Sequence, residues 1–273
     1  MSKWNGFFLL ALGFAAAFAL AVFAFVLTIP DISSLKKQYP VVHYDAKKKS
    51  ALVKLQLERP RGWVTLGEVP RAVRGAILVS EDWAFFNHPG YDLNQIEDAI
   101  GDSLERKKLV RGASTITQQV VRNVFLDQKK SLFRKARELI LAIQIEKLLS
   151  KERILEIYLN IVELGEGTYG LREGARLYFQ KSPTELNPRE GAFLAVLLPS
   201  PKRYSQSFRK AQLTPFIQHS IKRVLERMAQ AHYLDPAEIE GINAQTLSFE
   251  KAPPGTAAPT EDESPDSDPD PDF

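Results

Sequence analysis

Cysteine is absent from the sequence. That excludes disulfides, thiolate metal sites and a cysteine nucleophile. Histidine is scarce: His43, His88, His219 and His232 are scattered, which argues against a His-rich zinc site. Sustained alternation of apolar and polar residues is missing too, so the pattern predicts an α-helical domain. There is no internal repeat. What remains is an ordinary globular balance, 44% hydrophobic and 25% charged residues, in a chain long enough for one large or two small domains.

The charge is unevenly spread. Residues 251–273 hold one lysine and seven acids: Glu261, Asp262, Glu263, Asp266, Asp268, Asp270 and Asp272. Setting that segment aside raises the formal net charge from +3 to +9. The body is therefore basic, which suits a phosphate-bearing partner, an anionic membrane surface or nucleic acid. The segment itself is Pro-rich and almost free of large apolar groups. It cannot bury enough surface to offset its conformational entropy, so the sequence predicts disorder there, with a solvated brush or a docking, self-inhibiting role as its two readings.

One long uncharged run stands out, GFFLLALGFAAAFALAVFAFVLTI at 6–29. A helix of that length spans about 36 Å, enough for a hydrocarbon core of about 30 Å. The run is too long for a typical signal-peptide core and lacks a clear cleavage site after it, so an uncleaved membrane anchor is expected. Lys3 before the span and Lys36 and Lys37 after it orient it weakly. The short N-terminal flank, 1–5, favours a cytoplasmic start with the bulk of the chain outside.

After the anchor, 30–60 reads as a Lys-rich stalk leading into a domain over 61–250. In 131–149 the apolar residues fit a 3.6 period, and Ser150 is a plausible N-cap for a helix over 150–164. Pro188 suits a first helical position. A last amphipathic helix is expected over 214–231, and Gly165, Gly167 and Gly170 should form a loop at a helix end.

Four stretches carry candidate chemistry. VSEDWAFFNHPG, 79–90, sets Glu81 and Asp82 between an apolar run and the aromatics Trp83, Phe85 and Phe86. Either the acids end a helix at a wet edge, or they line a cleft where a perturbed acid is useful. RGASTITQQVVRNVFL, 111–126, has capping-box spacing at Thr115 and Gln118, so a helix should begin there. Gln118 and Arg122 then share a face, beside Gln119. Such a helix start with hydroxyls and a cation one turn on can hold an anionic or sugar ligand, or can be a well-capped helix with a solvated stripe. FRKARE, 133–138, offers Arg134 and Lys135 against Glu138, either a surface ion pair or a cationic cluster for a phosphate. KERILEIYLNIVELGEGTYGLREGA, 151–175, has the apolar spacing of scaffold.

EDWAFFNHPG, RGASTITQQVVRN, RKARE and KERILEIYLN followed by GLREGARLYF resemble, in order and spacing, the signature blocks of the family 51 glycosyltransferases, the peptidoglycan transglycosylases. The resemblance runs from about residue 63 to about 204. No penicillin-binding transpeptidase domain follows, so the chain resembles a monofunctional member. The resemblance implies a mainly α fold: a lysozyme-like helical lobe with a smaller membrane-proximal jaw lobe at about 92–113, preceded by one transmembrane helix. It implies Glu81 as catalytic base and Glu138 as the second important acid. Asp82, Phe85, His88 and Gly90 would shape the cleft. Ser114, Thr115, Thr117, Gln118, Gln119 and Asn123 would line the substrate site, and Arg122, Arg134 and Lys135 would meet the pyrophosphate. Arg122 stands where the family has lysine, and Ala113 where it usually has a second glycine. A fork replaces a point charge at 122.

The reaction so implied polymerises lipid II into glycan strands. Glu81 takes the proton from an acceptor hydroxyl, and undecaprenyl pyrophosphate leaves with inversion. By analogy with inverting glycosidases, Glu81 and Glu138 should not touch. A divalent cation, Mg or Mn, held at Glu138 or Glu81, is part of that expectation. The partners would be lipid II, the growing lipid-linked glycan, the bilayer and other cell-wall synthesis proteins, with no nucleic acid. The place would be the outer, periplasmic side of a bacterial inner membrane. Two other readings stand beside this: a lipid II-binding scaffold that does not polymerise, and a glycan-cleaving hydrolase, which would have no pyrophosphate for the cations to meet.

Overall fold

The computed structural model describes residues 2–93, 114–127, 129 and 131–250, with the side chains at 2–7, 9–10, 21–22 and 132 outside the description. The acidic segment 251–273 and nearly all of the expected jaw at 92–113 therefore lie outside the described residues. The elements are mainly helical: α1 (Ser2–Leu27), α2 (Arg71–Glu81), α3 (Ile116–Phe125), α4 (Leu132–Leu148), α5 (Lys151–Ile161), α6 (Gly170–Phe179), α7 (Pro188–Leu197), α8 (Pro201–Tyr204), α9 (Gln206–Arg209), α10 (Pro215–Gln230) and α11 (Ile239–Ala244). Two short antiparallel hairpins accompany them, β1 (Tyr39–Asp45) with β2 (Ser50–Gln56), and β3 (Glu163–Gly165) with β4 (Thr168–Tyr169).

The helices start where capping chemistry places them. Thr115, Ser131, Ser150, Asn187 and Thr214 each accept a hydrogen bond from a backbone N–H of the first turn that follows. Pro188 and Pro215 occupy first helical positions, where a missing N–H leaves no bond unmade. The expected helices over 131–149, 150–164 and 214–231 thus form, the second giving way to β3 after Ile161.

Burial follows the apolar faces. α2 packs on α7 and α10, while α3 packs on α4 and α5. Ile77, Val73, Ile116, Val120, Leu141, Ile145, Ile157, Phe193 and Leu225 are at most 1% exposed. Each such side chain contributes about 1.5–3 kcal/mol relative to an exposed position. The α2–α7 approach is close enough that a Cβ at Gly191 would lie 3.0 Å from the Val73 Cα.

The stalk expected over 30–60 is in part something else. Residues 39–56 form a β-hairpin whose first strand packs on α5. The sequence conceals it because exposed positions of β2, Ala51 and Leu52, carry apolar side chains and so blur the alternation that a strand covered on one side otherwise shows. Arg153 of α5 stacks over the rings of Tyr39 and Trp63, at 4.8 and 5.2 Å. Trp63 Nε1 donates to Glu156 Oε1 (2.8 Å), and Asn160 clamps Val64 by accepting from its N–H and donating to its C=O, both at 2.8 Å.

α1 is one unbroken helix of 26 residues. Its described side chains face outward, Phe14 at 77% and Phe18 at 63% exposure among them. Over the described residues no helix is long and apolar enough to cross a membrane. The end of α1 leans on α4, with Phe25 edge-on to Phe133 at 5.1 Å and the Arg137 guanidinium donating to the Thr28 carbonyl.

Asn160→Ala should expose how much that clamp holds. It leaves the N–H and C=O of Val64, itself 1% exposed, without their partners. The expected loss is about 1–3 kcal/mol in urea denaturation, with an unchanged slope. An unaltered midpoint would show that the clamp is dispensable.

Candidate active site

The site grows from the end of α2. The helix stops at Glu81 because Asp82 leaves helical geometry (φ −161°, ψ 75°) while its N–H still bonds Leu78. Asp82 is 1% exposed, so its carboxylate must be satisfied internally. One oxygen accepts from His88 Nε2 (2.8 Å), the other from the Ile116 N–H that opens α3 (2.9 Å). The Gly90 N–H donates to His88 Nδ1 at 3.1 Å, which fixes the His88 proton on Nε2. Thr115 Oγ1 donates to the Gly90 carbonyl at 2.8 Å. Gly90 has φ 88°, and a Cβ there would meet Glu146 Cγ at 2.8 Å. The stretch 82–90 is therefore a tie between the end of α2 and the start of α3.

The aromatic run splits in two. Phe85 is wholly buried, whereas Trp83 and Phe86 are about half exposed, at 50% and 47%. The Lys151 ammonium sits 4.5 Å from the Phe85 ring centre, donates to the His88 carbonyl (2.7 Å) and pairs with Glu146 (2.8 Å).

Glu81 follows from this tie. It is half-buried, and Gln119 Nε2 of α3 donates to its Oε2 at 2.8 Å. Burial raises its pKa above the ordinary glutamate value; Gln119 and the Arg122 charge oppose that rise, and Asp82 adds to it. Arg122 thus stands close enough to stabilise the carboxylate without cancelling the effect of burial.

The second acid has different partners. Glu138, 1% exposed on α4, accepts from Arg134 Nη1 (2.6 Å) on one oxygen and from Lys135 Nζ (2.5 Å) on the other. Lys135 also donates to Ser114 Oγ (3.0 Å) and Gln118 Oε1 (3.1 Å). Two cations against one carboxylate leave this cluster with one net positive charge, anchored to α3. Glu81 and Glu138 hydrogen-bond to different partners, reached through the adjacent Gln119 and Gln118.

Not every expected residue joins these groups. Thr117 is fully buried and donates to Glu146, away from Lys135 and Glu81. Thr115 is consumed as the α3 cap and the tie to Gly90. Asn123 is half-buried on α3. Ser114 and Gln118 reach the cationic cluster, Gln119 and Arg122 the Glu81 side.

Among the described residues, the carboxylates of Glu81 and Glu138 do not share a donor set for a divalent ion. Both oxygens of Glu138 are taken by cations, and Glu81 is bonded to an amide beside Arg122. Among the described residues no group of three His, Asp or Glu side chains converges on one point.

Sequence reasoning missed Tyr158. It reads as one more apolar position of α5, and it is fully buried. Yet its hydroxyl meets no hydrogen-bond partner among the described residues, and it lies within the field of Glu81, Arg122 and Asp82. Burial first, then the Glu81 charge, raises its pKa well above the usual tyrosine value. The available signal was chemical: a tyrosine on a core stripe has a hydroxyl that needs an address.

The raised Glu81 pKa makes a stability prediction. The folded state holds that proton more tightly than the unfolded chain, so the stability it supports is complete below the unfolded value and is lost as pH rises through the folded one. Glu81→Gln should therefore melt higher than wild type at pH 7, and the two should converge as pH falls below the ordinary glutamate value of 4.5. A variant that melts lower than wild type at pH 7 would contradict the burial argument.

Comparison with known proteins places the chain in a family. The family model described as transglycosylase matches residues 48–229. A biosynthetic peptidoglycan transglycosylase from Aromatoleum aromaticum is 38% identical over 185 residues, 66% of this chain and 78% of its own. One from Bdellovibrio bacteriovorus is 38% identical over 189 residues, 69% of this chain and 71% of its own. Among solved structures, penicillin-binding protein 1A from Haemophilus influenzae matches 78% of this chain and 22% of its own at 21% identity, with a TM-score of 0.38, too low to carry an argument. With a family match over 48–229 and relatives at that identity, the chain belongs to the transglycosylase family.

Proposed function

We propose that this chain is a membrane-anchored peptidoglycan glycosyltransferase that polymerises lipid II, with Glu81 as its general base. The observation that carries the assignment of the base is a half-buried carboxylate, held by Gln119 beside Arg122, whose pKa is raised by burial. A base with a raised pKa accepts a proton more readily.

In this mechanism Glu81 accepts the proton of the acceptor sugar hydroxyl as that oxygen attacks the anomeric carbon of the donor. The bond from that carbon to the pyrophosphate breaks with inversion. Arg122 and the Arg134–Lys135–Glu138 cluster offset the charge developing on the leaving group. Glu138 is a positioning residue: it holds both cations at fixed places at the price of one unit of charge. With Arg134 and Lys135 on both oxygens of Glu138, the leaving group's charge is met by side-chain cations rather than by a metal ion in this reading.

Membrane attachment is supported by the uncharged run at 6–29 and by the outward apolar side chains of α1, which water would solvate poorly. The contacts of Phe25 and Thr28 with α4 set the end of α1 against the helix that bears Arg134, Lys135 and Glu138. A pyrophosphate whose lipid tail lies in the bilayer would meet the cluster there. The outer face of a bacterial cytoplasmic membrane is the corresponding location.

The test is polymerisation of labelled lipid II by the purified full-length chain. Wild type should produce long strands, and Glu81→Gln should lose about 100-fold or more of the rate. Glu138→Gln, which frees Arg134 and Lys135, should also lose activity, about tenfold or more. Equal polymer from wild type and Glu81→Gln would reject the base. Binding without polymer would favour the scaffold reading, and shortening of preformed strands the hydrolase.

A further inference from the structure

A concave surface opens beside Ser80, near the end of α2. Where α7, α8 and α10 meet, a cavity of about 170 Å³ is lined by Tyr204, Phe216, Arg223 and Arg227, with Val196 and Pro199. Tyr204 and Phe216 form one aromatic wall, their ring centres 5.4 Å apart, and Phe216 is 52% exposed. Arg223 and Arg227 are exposed, one turn apart on α10. Their bonds to the fold are long and to neutral oxygens: Arg223 Nη2 to Ser220 Oγ and Arg227 Nη1 to the Val79 carbonyl, each at 3.4 Å. Glu226 lies between them on α10, so the patch is cationic but not uniformly so.

The occupant this groove fits is on the same chain. Phe249 packs against Phe179, Phe193 and Phe208, ring centres 6.3, 5.2 and 5.3 Å away. The described chain ends at Glu250, whose charge acts on Arg189 at the start of α7, so the segment must run back along that helix, about 15 Å, to reach Val196 and Pro199 of the groove. The 23 residues that follow reach up to about 70 Å at about 3.1 Å per residue in an extended proline-rich form. They hold seven acids, four of them alternating closely with proline and serine in Pro265-Asp266-Ser267-Asp268-Pro269-Asp270-Pro271-Asp272.

We propose that the acidic segment 251–273 docks on this groove, its carboxylates on Arg223 and Arg227 and its prolines on Tyr204 and Phe216. Proline-rich chains in extended form suit aromatic grooves because little conformational entropy remains to be lost. Exposed ion pairs are individually weak, but tethering gives the segment an effective concentration in the millimolar range, enough for weak contacts to close. The docking does not depend on the identity of the catalytic base. Ser80, the residue before Glu81, also lines the groove, so the docked segment would sit against the end of α2.

The test uses the full-length chain in detergent, with a benzophenone analogue of phenylalanine replacing Phe273. Illumination should give intramolecular cross-links to peptides containing Tyr204 or residues 216–227. Their yield should fall about fivefold or more when salt is raised from about 0.05 to about 0.5 M. The double variant Arg223→Glu, Arg227→Glu should reduce it similarly, with a thermal melt matching wild type. So should removing four of the segment's seven acids by Asp266→Asn, Asp268→Asn, Asp270→Asn and Asp272→Asn, which leaves the folded domain untouched. Cross-links elsewhere on the domain, cross-links only to detergent or to added anionic lipid vesicles, or a yield indifferent to all these changes would overturn the proposal.

Discussion

The site depends on one buried carboxylate, Asp82. Taken out of water at 1% exposure, it is tolerable only because it is fully engaged, by His88 on one side and by the first N–H of α3 on the other. Through it the end of α2 and the start of α3 are held in one geometry. Everything chemical follows from that. Glu81 is the last residue of α2, and Gln119 and Arg122 lie within the next two turns of α3. Removing the Asp82 carboxylate would also strand the His88 proton and the Ile116 N–H.

The two acids are then set apart by environment rather than by residue type. Glu81 has an amide for a hydrogen-bond partner and a cation nearby, so burial dominates and its proton affinity rises. Glu138 has a cation on each oxygen. In the proposed reaction the first moves a proton and the second holds charge in place. α3 serves both, because Gln118 and Gln119 are neighbours in sequence yet project toward different clusters.

Much of this was legible from the residues. Thr115 and Ser150 before apolar runs marked the starts of α3 and α5, and Pro188 that of α7, since capping is a local interaction. The pairing of Glu138 with Arg134 and Lys135 was legible for the same reason, lying within one turn of helix. The β1–β2 hairpin was not, because apolar side chains at the exposed positions Ala51 and Leu52 blur its alternation. The inward turn of Thr117 to Glu146 and the tie from Asp82 to Ile116, 34 residues on, depend on how distant helices meet. Tyr158 hid among apolar positions because its ring obeys the core pattern while its hydroxyl does not.

The most direct test of the account is the titration of the Glu81 carboxyl itself. It can be followed by carbon-detected magnetic resonance on the full-length chain, wild type beside Asp82→Ala. The account predicts that Glu81 in wild type titrates above the ordinary glutamate value of 4.5, and that it falls back toward that value once the tie between α2 and α3 is cut. A wild-type Glu81 that titrates at or below that value would contradict it.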